Sequence, residues 1–259
     1  MSKNKMTQDE RLIELATYIR NHGKVTLEFI CEHFNISYDS ARRDLVKLGS
    51  QPGILRIRGG AILNESKSYL SFSQRNEPDP VKQQLAEYGA SLIEKNDIVF
   101  LDAGTTNSLL ASYLNVESSV ITNSLECVNE LISKTQIRKC VLGGGFDDYS
   151  HTILGEMTIE HIRKYRTNRA FIGVSALSDA GITTNSEMDA RLKLAMAEQS
   201  TQVICISTST KFNTQLMYQS CGWEHIDCLI VDKKPPQNLL EQIEQHDVEL
   251  IVLSDNAQH

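Results

Sequence analysis

The stretch Ile36-Ser37-Tyr38-Asp39-Ser40-Ala41-Arg42-Arg43-Asp44-Leu45-Val46-Lys47-Leu48 decides what the first quarter of this chain folds into. The Ser37 hydroxyl can cap a helix that runs to about Leu48. At 100° per residue Ala41, Leu45 and Leu48 fall on one side, so Asp39, Ser40, Arg43 and Lys47 point outward, with Tyr38 and Arg42 on the flank. Upstream, Thr26 can cap a shorter helix with Leu27, Ile30, Cys31 and Phe34 on its apolar side. Earlier still, Thr7-Gln8-Asp9-Glu10 has the form of a capping box. That box opens a helix carrying Leu12, Leu15, Ala16 and Ile19 and stopped by Asn21-His22-Gly23. Two short helices separated by a three-residue break predict a helix-turn-helix. Downstream, Pro52-Gly53 marks a turn, and Ile54-Leu55-Arg56-Ile57-Arg58 alternates so that Leu55 and Ile57 share one face and Arg56 and Arg58 the other: a short β wing with two outward arginines.

The chain of 259 residues carries a formal net charge of −7, but residues 1–66 sum to +2 and the remainder to −9. Such asymmetry points to a polyanion for the head alone. Five Lys and Arg lie between Ser37 and Gly60, and each can displace a condensed counterion from DNA. A solvated charged face accounts for the same charges; the capped three-helix pattern favours DNA. Arg43 is placed to read bases, because a guanidinium donates two parallel hydrogen bonds to guanine O6 and N7. Ser37, Tyr38, Ser40, Arg42, Lys47, Arg56 and Arg58 complete the predicted contact set, Arg42 and Tyr38 falling where a side chain meets phosphate.

Apolar residues make up 41% and charged residues 23%, the composition of an ordinary globular protein. No run approaches the roughly 20 apolar residues of a membrane span, and the start leads into a charged helix without an apolar signal region, so a cytoplasmic location away from membranes is expected. The six cysteines include no C-x-x-C pair, and neither they nor the seven histidines fall at metal-ligand spacing, so neither a metal nor a cofactor is expected.

Residues 83–253 alternate helical and strand patterns: a helix from Gln83 to Ile93, a strand at Ile98–Leu101, a helix from Thr106, a strand at Val120–Thr122, then strands near Cys140–Leu142, Ala170–Ile172, Val203–Ile206, Leu229–Val231 and Leu250–Leu253 with intervening helices. The rhythm predicts an α/β domain with a largely parallel sheet, whose ligands bind beyond the carboxyl ends of the strands. The residues there are small and polar: Asp102, Gly104, Thr105 and Thr106; Asn123 and Ser124; Gly144 and Gly145; Ser175; and, after the Val203 strand, Lys211. Gly104-Thr105-Thr106 opening a helix would aim free N–H groups and hydroxyls at an anion. Any one of these loops is explained equally by helix capping, and it is their convergence on one edge that favours a phosphate cradle. Asp102 could accept hydrogen bonds from sugar hydroxyls, cap the next helix, or pair with Lys211. The predicted organisation is a winged helix-turn-helix domain over residues 1–64, a linker over 65–80 rich in Ser and Pro, and the α/β domain over 81–259.

Ile36 to Leu45, followed by Arg56-Ile57-Arg58-Gly59-Gly60-Ala61, resembles the winged-helix signature of the DeoR family of bacterial transcription regulators. The likeness continues in Asp102-Ala103-Gly104-Thr105-Thr106, Thr122-Asn123-Ser124, Leu142-Gly143-Gly144, Phe171 to Ser175 and Lys211-Phe212. The family's usual Thr-Ile before the paired arginines is Ser40-Ala41 here, its His before the paired glycines is Arg58, and its Asp three residues before Lys-Phe is Thr208. The resemblance implies a repressor of carbohydrate-metabolism genes that binds double-stranded operator DNA as a homo-oligomer. It also implies a Rossmann-like sensor domain similar to ribose-5-phosphate isomerases and glucosamine-6-phosphate deaminases, responding to a phosphorylated sugar through the loops above. The competing reading is an isomerase or deaminase using Asp102, Glu187 or Asp189 as a base. A third, a DNA-binding module on an unliganded oligomerisation domain, leaves the convergent Gly/Thr loops unexplained.

Overall fold

The computed structural model describes residues 6–49, 54–63 and 79–253, and the chain divides into two compact units, residues 1–70 and 71–259. The turn expected at Pro52-Gly53 lies outside the described residues, as does the linker except for Asp79 and Pro80.

In the first unit, α1 (Gln8–His22) starts at the Thr7–Glu10 capping box and ends at Gly23, whose left-handed φ of 80° lets its N–H return to the Ile19 carbonyl. Thr26 caps α2 (Leu27–Phe34), Asn35 turns the chain at φ 49°, and Ser37 caps α3 (Tyr38–Leu48). Leu15, Ile19, Ile30, Ala41, Leu45 and Leu48 close one core between the three helices. The wing is a three-stranded sheet in which β3 (Gly60–Leu63) pairs on one side with β2 (Ile54–Ile57) and on the other with β1 (Lys24–Thr26). Strand β1 is too short to show a period in the sequence. The paired glycines have separate reasons: Gly59 takes φ 86° at the turn, and a Cβ on Gly60 would sit 2.1 Å from the Val25 carbonyl oxygen, blocking the β1–β3 pairing. Along β2, Ile54 is buried and Ile57 is 44% exposed, so the strand turns the face of Ile54 to the helices and the face of Ile57 outward.

In the second unit, a helix predicted from Gln83 starts three residues earlier as α4 (Pro80–Ser91). Asp79 accepts from the N–H groups of Val81 and Lys82, and Pro80 at the first helical position gives up no bond there. The chain then runs β4 (Ile98–Leu101), α5 (Thr105–Tyr113), β5 (Ser118–Thr122), α6 (Leu125–Leu131), β6 (Ile137–Val141), the hairpin β7 (Gly145–Asp147) and β8 (Thr152–Leu154), and α7 (Glu156–Ile162). It continues through β9 (Thr167–Gly173), β10 (Ala176–Ser178), β11 (Gly181–Thr184), α8 (Glu187–Glu198), β12 (Ser200–Ser207), β13 (Tyr218–Cys221), β14 (Cys228–Val231), α9 (Gln237–Gln245) and β15 (Glu249–Val252). Seven parallel strands stand in the order β6-β5-β4-β9-β12-β14-β15. Period-2 alternation sends Val99, Leu101 and Phe171 to the face covered by α4, α5 and α6, and Phe100, Ala170 and Ile172 to the face covered by α7, α8 and α9. The second face carries a further layer, the antiparallel sheet β10-β11-β13, which packs on α8. Enclosed from both sides, α8 buries Leu192, Lys193, Ala195, Met196 and Ala197.

Candidate nucleic-acid interface and ligand site

On α3, Ser37, Tyr38, Asp39, Arg42, Arg43, Val46 and Lys47 are exposed and Ser40 is half-buried, so every residue predicted to meet DNA from this helix reaches solvent. The Arg43 guanidinium donates to Ser40 Oγ at 3.4 Å, and Lys47 Nζ to Gln8 Oε1 of α1 at 2.7 Å. Arg56 and Arg58 are exposed on the wing. Asp44, inside the same Arg-Arg-Asp run, does the opposite: it is fully buried and accepts from Arg11 Nε at 2.9 Å and Gln8 Nε2 at 2.7 Å. The paired arginines face outward because the carboxylate after them is the latch that fixes the rotation of α3 against α1. Its signal in the sequence is a lone charge on the apolar stripe between Ala41 and Leu48.

At the carboxyl edge of the seven-stranded sheet, Gly104 precedes α5 with φ 151°, no side chain caps the helix, and the space where a Gly104 Cβ would stand is open. Thr105 and Thr106 follow in its first turn. The strand order reverses between β4 and β9, and Gly104–Thr106 and Gly173–Ser175 leave those two strands at that reversal. In open α/β sheets a crevice forms there. Lys211 is half-buried on the loop after β12, the next strand over, and that loop is held by Asp232 at the end of β14, which accepts from Ser209 Oγ at 2.9 Å.

Of the alternatives left open for Asp102, which included a pairing with Lys211, none named the ion pair it makes: Asp102 is fully buried and paired with Lys193 of α8. Its carboxylate also accepts from the Gly173 N–H at 2.9 Å and from Asn123 Nδ2 at 3.2 Å, so it ties together β4, β5, β9 and α8. Asn123 in turn accepts from the Ala103 N–H at 2.9 Å. Lys193 Nζ lies 3.4 Å from Asp189, which Thr184 Oγ1 reaches at 2.7 Å. Burial pushes Asp189 above the ordinary carboxylate range, with Lys193 opposing it. Lys193 is held well above the usual amine value: burial works against its charge and the two carboxylates outweigh burial. Ser124 caps α6 through the Cys127 N–H. A Cβ on Gly144 would meet Thr158 Oγ1 at 2.2 Å, and Gly145 begins β7, exposed. Glu187 is exposed on the first turn of α8. Among the described residues no group of three His, Cys, Asp or Glu could hold a metal, and no helix is long and apolar enough to cross a membrane.

Two family models cover this arrangement: the DeoR-like helix-turn-helix domain matches residues 11–67 and the DeoR C terminal sensor domain residues 79–233. The chain belongs to the DeoR family. This DeoR-family transcriptional regulator is 37% identical to the HTH-type transcriptional repressor GlcR of Bacillus subtilis, over 95% of this chain and 97% of that one. It is 28% identical to the glycerol-3-phosphate regulon repressor of Escherichia coli, over 95% and 99%. Among solved structures, ribose 5-phosphate isomerase A from Methanocaldococcus jannaschii is similar over 52% of this chain and 53% of that one, at 14% identity and a TM-score of 0.36. The segment Asp102-Ala103-Gly104-Thr105-Thr106 thus divides into a buried anchor, Asp102, and an open helix start at Gly104. Residue types and spacing do not point to the anchor's partner, Lys193, nor to Asn107, whose amide donates to the carbonyls of Asp102 and Phe171 at 3.0 Å each.

Proposed function

We propose that this regulator is a cytoplasmic repressor of carbohydrate-metabolism genes that binds operator DNA as a homo-oligomer and changes its DNA affinity when a phosphorylated sugar occupies the crevice between β4 and β9. The observation that carries the reading is the uncapped, open start of α5 at the strand-order reversal. There the unpaired N–H groups of the first turn, the hydroxyls of Thr105 and Thr106 and the positive end of the helix favour a phosphate. Ser175 and Lys211 contribute a hydroxyl and a cation from the two neighbouring strands. Asp102, Asn123 and Ser124 act from beneath, holding the loops in place, and Gly144 and Gly145 shape the adjoining edge after β6. Two relatives named as repressors, one of a glycerol-3-phosphate regulon, support the sign and the ligand class.

The enzyme alternative is disfavoured by the same geometry. Asp102 has its oxygens occupied by Lys193, Gly173 and Asn123, and Asp189 is engaged by Thr184 and Lys193, so neither is poised over an open crevice as a base. The effector shifts DNA affinity by as much as it prefers one state of the protein, typically about 5- to 150-fold. The test is fluorescence-anisotropy binding to duplex from upstream of the protein's own gene, at fixed salt, with a panel of phosphorylated sugars. Selective binding weakened by one sugar phosphate is expected. Binding indifferent to every member of the panel would overturn the effector reading, and turnover of any of them the regulator-only reading. Light scattering of the DNA complex counts the copies bound, two or more being expected for half-sites related by symmetry.

A further inference from the structure

On α3, Asp39, Arg43 and Val46 lie most directly opposite the buried residues Ala41, Asp44, Leu45 and Leu48, and Lys47 leans toward α1. Asp39 breaks the charge logic of that face. It is exposed, it sits in the first turn, and it has no hydrogen-bond or ion-pair partner among the described residues. The cations of the head, Arg42, Arg43 and Lys47 on α3 and Arg56 and Arg58 on the wing, strengthen attraction to phosphate, and a carboxylate on the same helix weakens it. A helix-turn-helix enters the major groove with the N-terminal residues of its second helix against base edges, so Asp39 stands nearer the bases than Lys47 does. An ionised carboxylate only accepts hydrogen bonds. Guanine presents two acceptors in the major groove, thymine an acceptor and a methyl, and adenine an acceptor beside its amino group. Cytosine presents its N4 amino group.

We propose that Asp39 is a specificity-determining residue: its carboxylate accepts a hydrogen bond from the N4 amino group of one cytosine in the operator half-site, and its charge lowers affinity for unrelated DNA. The proposal rests on α3 being the groove-reading helix. It accounts for an acidic side chain at the tip of a basic face more fully than the favourable charge that any acid supplies to a helix N-terminus, which would leave base preference untouched.

The test is selection of binding sites from a duplex library with a randomised core, using the full chain as wild type, Asp39→Ala and Asp39→Asn, with circular dichroism melting to verify folding. The wild type is expected to enrich a cytosine at one position of each half-site. Asp39→Ala should lose that preference by about five-fold or more while keeping the others, and should bind random-sequence competitor more tightly. Asp39→Asn should move the preference to adenine, whose N6 and N7 match an amide. Unchanged preferences in both variants overturn the proposal and leave Asp39 as a helix-end charge. Loss of preference at all positions together, with a lowered melting temperature, overturns it in favour of a folding role. If the wild type enriches nothing, the reading of α3 itself fails, and that outcome is distinct from the other two.

Discussion

Asp44 in α3 and Lys193 in α8 hold the same place in their helices: each stands three residues after a buried alanine, Ala41 or Ala190, and four before another buried residue, Leu48 or Ala197. Both are single charges on an apolar stripe, and both turn out to be ties to a distant part of their own unit. The ties differ in how they are answered. Asp44 meets one guanidinium and one amide from a single neighbouring helix, and Arg11 retains 12% exposure. Lys193 meets two carboxylates, Asp102 and Asp189, from a strand end and from its own helix, and is itself only 4% exposed. Water can take over for a lost partner in the head and far less readily in the sensor. Equal signals in the sequence therefore stand for unequal energies.

The largest expected effect follows from that inequality. Lys193→Met leaves Asp102 and Asp189 buried near one another without a cation, and removing one partner of a buried ion pair costs about 3–5 kcal/mol. Calorimetry should show the sensor transition moved far down or lost while the head still melts near its wild-type temperature. Lys193→Met combined with Asp102→Asn should recover part of the loss. A single-variant cost below about 1 kcal/mol would mean that water reaches the cluster and that the comparison with Asp44 is wrong. Asp44→Ala is expected to cost less, about 2 kcal/mol in the head transition, because the released Arg11 can turn to solvent. A cost in the head equal to that of Lys193→Met would erase the distinction.

Most of the head is legible in the sequence. Thr7, Thr26 and Ser37 announce three helix starts in side-chain chemistry that acts within four residues, and the structure places all three caps. The strands of the large sheet are legible too, since buried parallel strands are short apolar runs followed by polar turns. What escapes is either too short to carry a period, as with Lys24–Thr26 of β1, the β7–β8 hairpin and the β10-β11-β13 sheet, or fixed by contact across the chain. Asp102 and Lys193 lie 91 residues apart. Their neighbourhood arises because α8 is pressed between two sheets, and nothing local distinguishes Lys193 from Lys211 as a partner. The lone charge on α8 is visible in the sequence, but what it meets is set by the tertiary fold.

Smaller effects separate exposed charges from buried ones. Arg43→Ala should remove about 1–3 kcal/mol of discrimination between operator and unrelated sequence while leaving the melting temperature alone, as fits a side chain that supports binding and not folding. Competition anisotropy at fixed salt reads it, and unchanged discrimination would remove Arg43 from the reading surface. At the sensor edge, Thr105→Ala should raise the sugar-phosphate concentration needed for half-maximal response by roughly five-fold, the equivalent of one hydrogen bond of about 1 kcal/mol, with DNA affinity unaltered in the absence of effector. An unshifted response would place the phosphate elsewhere along the edge.

The smallest effect concerns polar groups that the sensor core keeps neutral. Burial pushes the thiols of Cys127 and Cys221 up to about 12, so the folded protein holds protons that the unfolded chain releases above the ordinary thiol value of roughly 8.5. The folded state then binds more protons than the unfolded one, and stability falls as pH rises through that window. Between pH 7.5 and 9 each such thiol should remove about 0.8 kcal/mol. Urea unfolding of wild type and Cys127→Ala at the two pH values isolates one group, and the wild type should lose more stability than the variant by that amount. Equal losses would mean that Cys127 titrates alike in both states and that its burial on the inner face of α6 does not exclude water. Lys193 works in the same direction only above its own ordinary value near 10.4, since its raised proton affinity is fully satisfied below that pH. The Lys193 ammonium should therefore stay silent over the range in which the thiols respond.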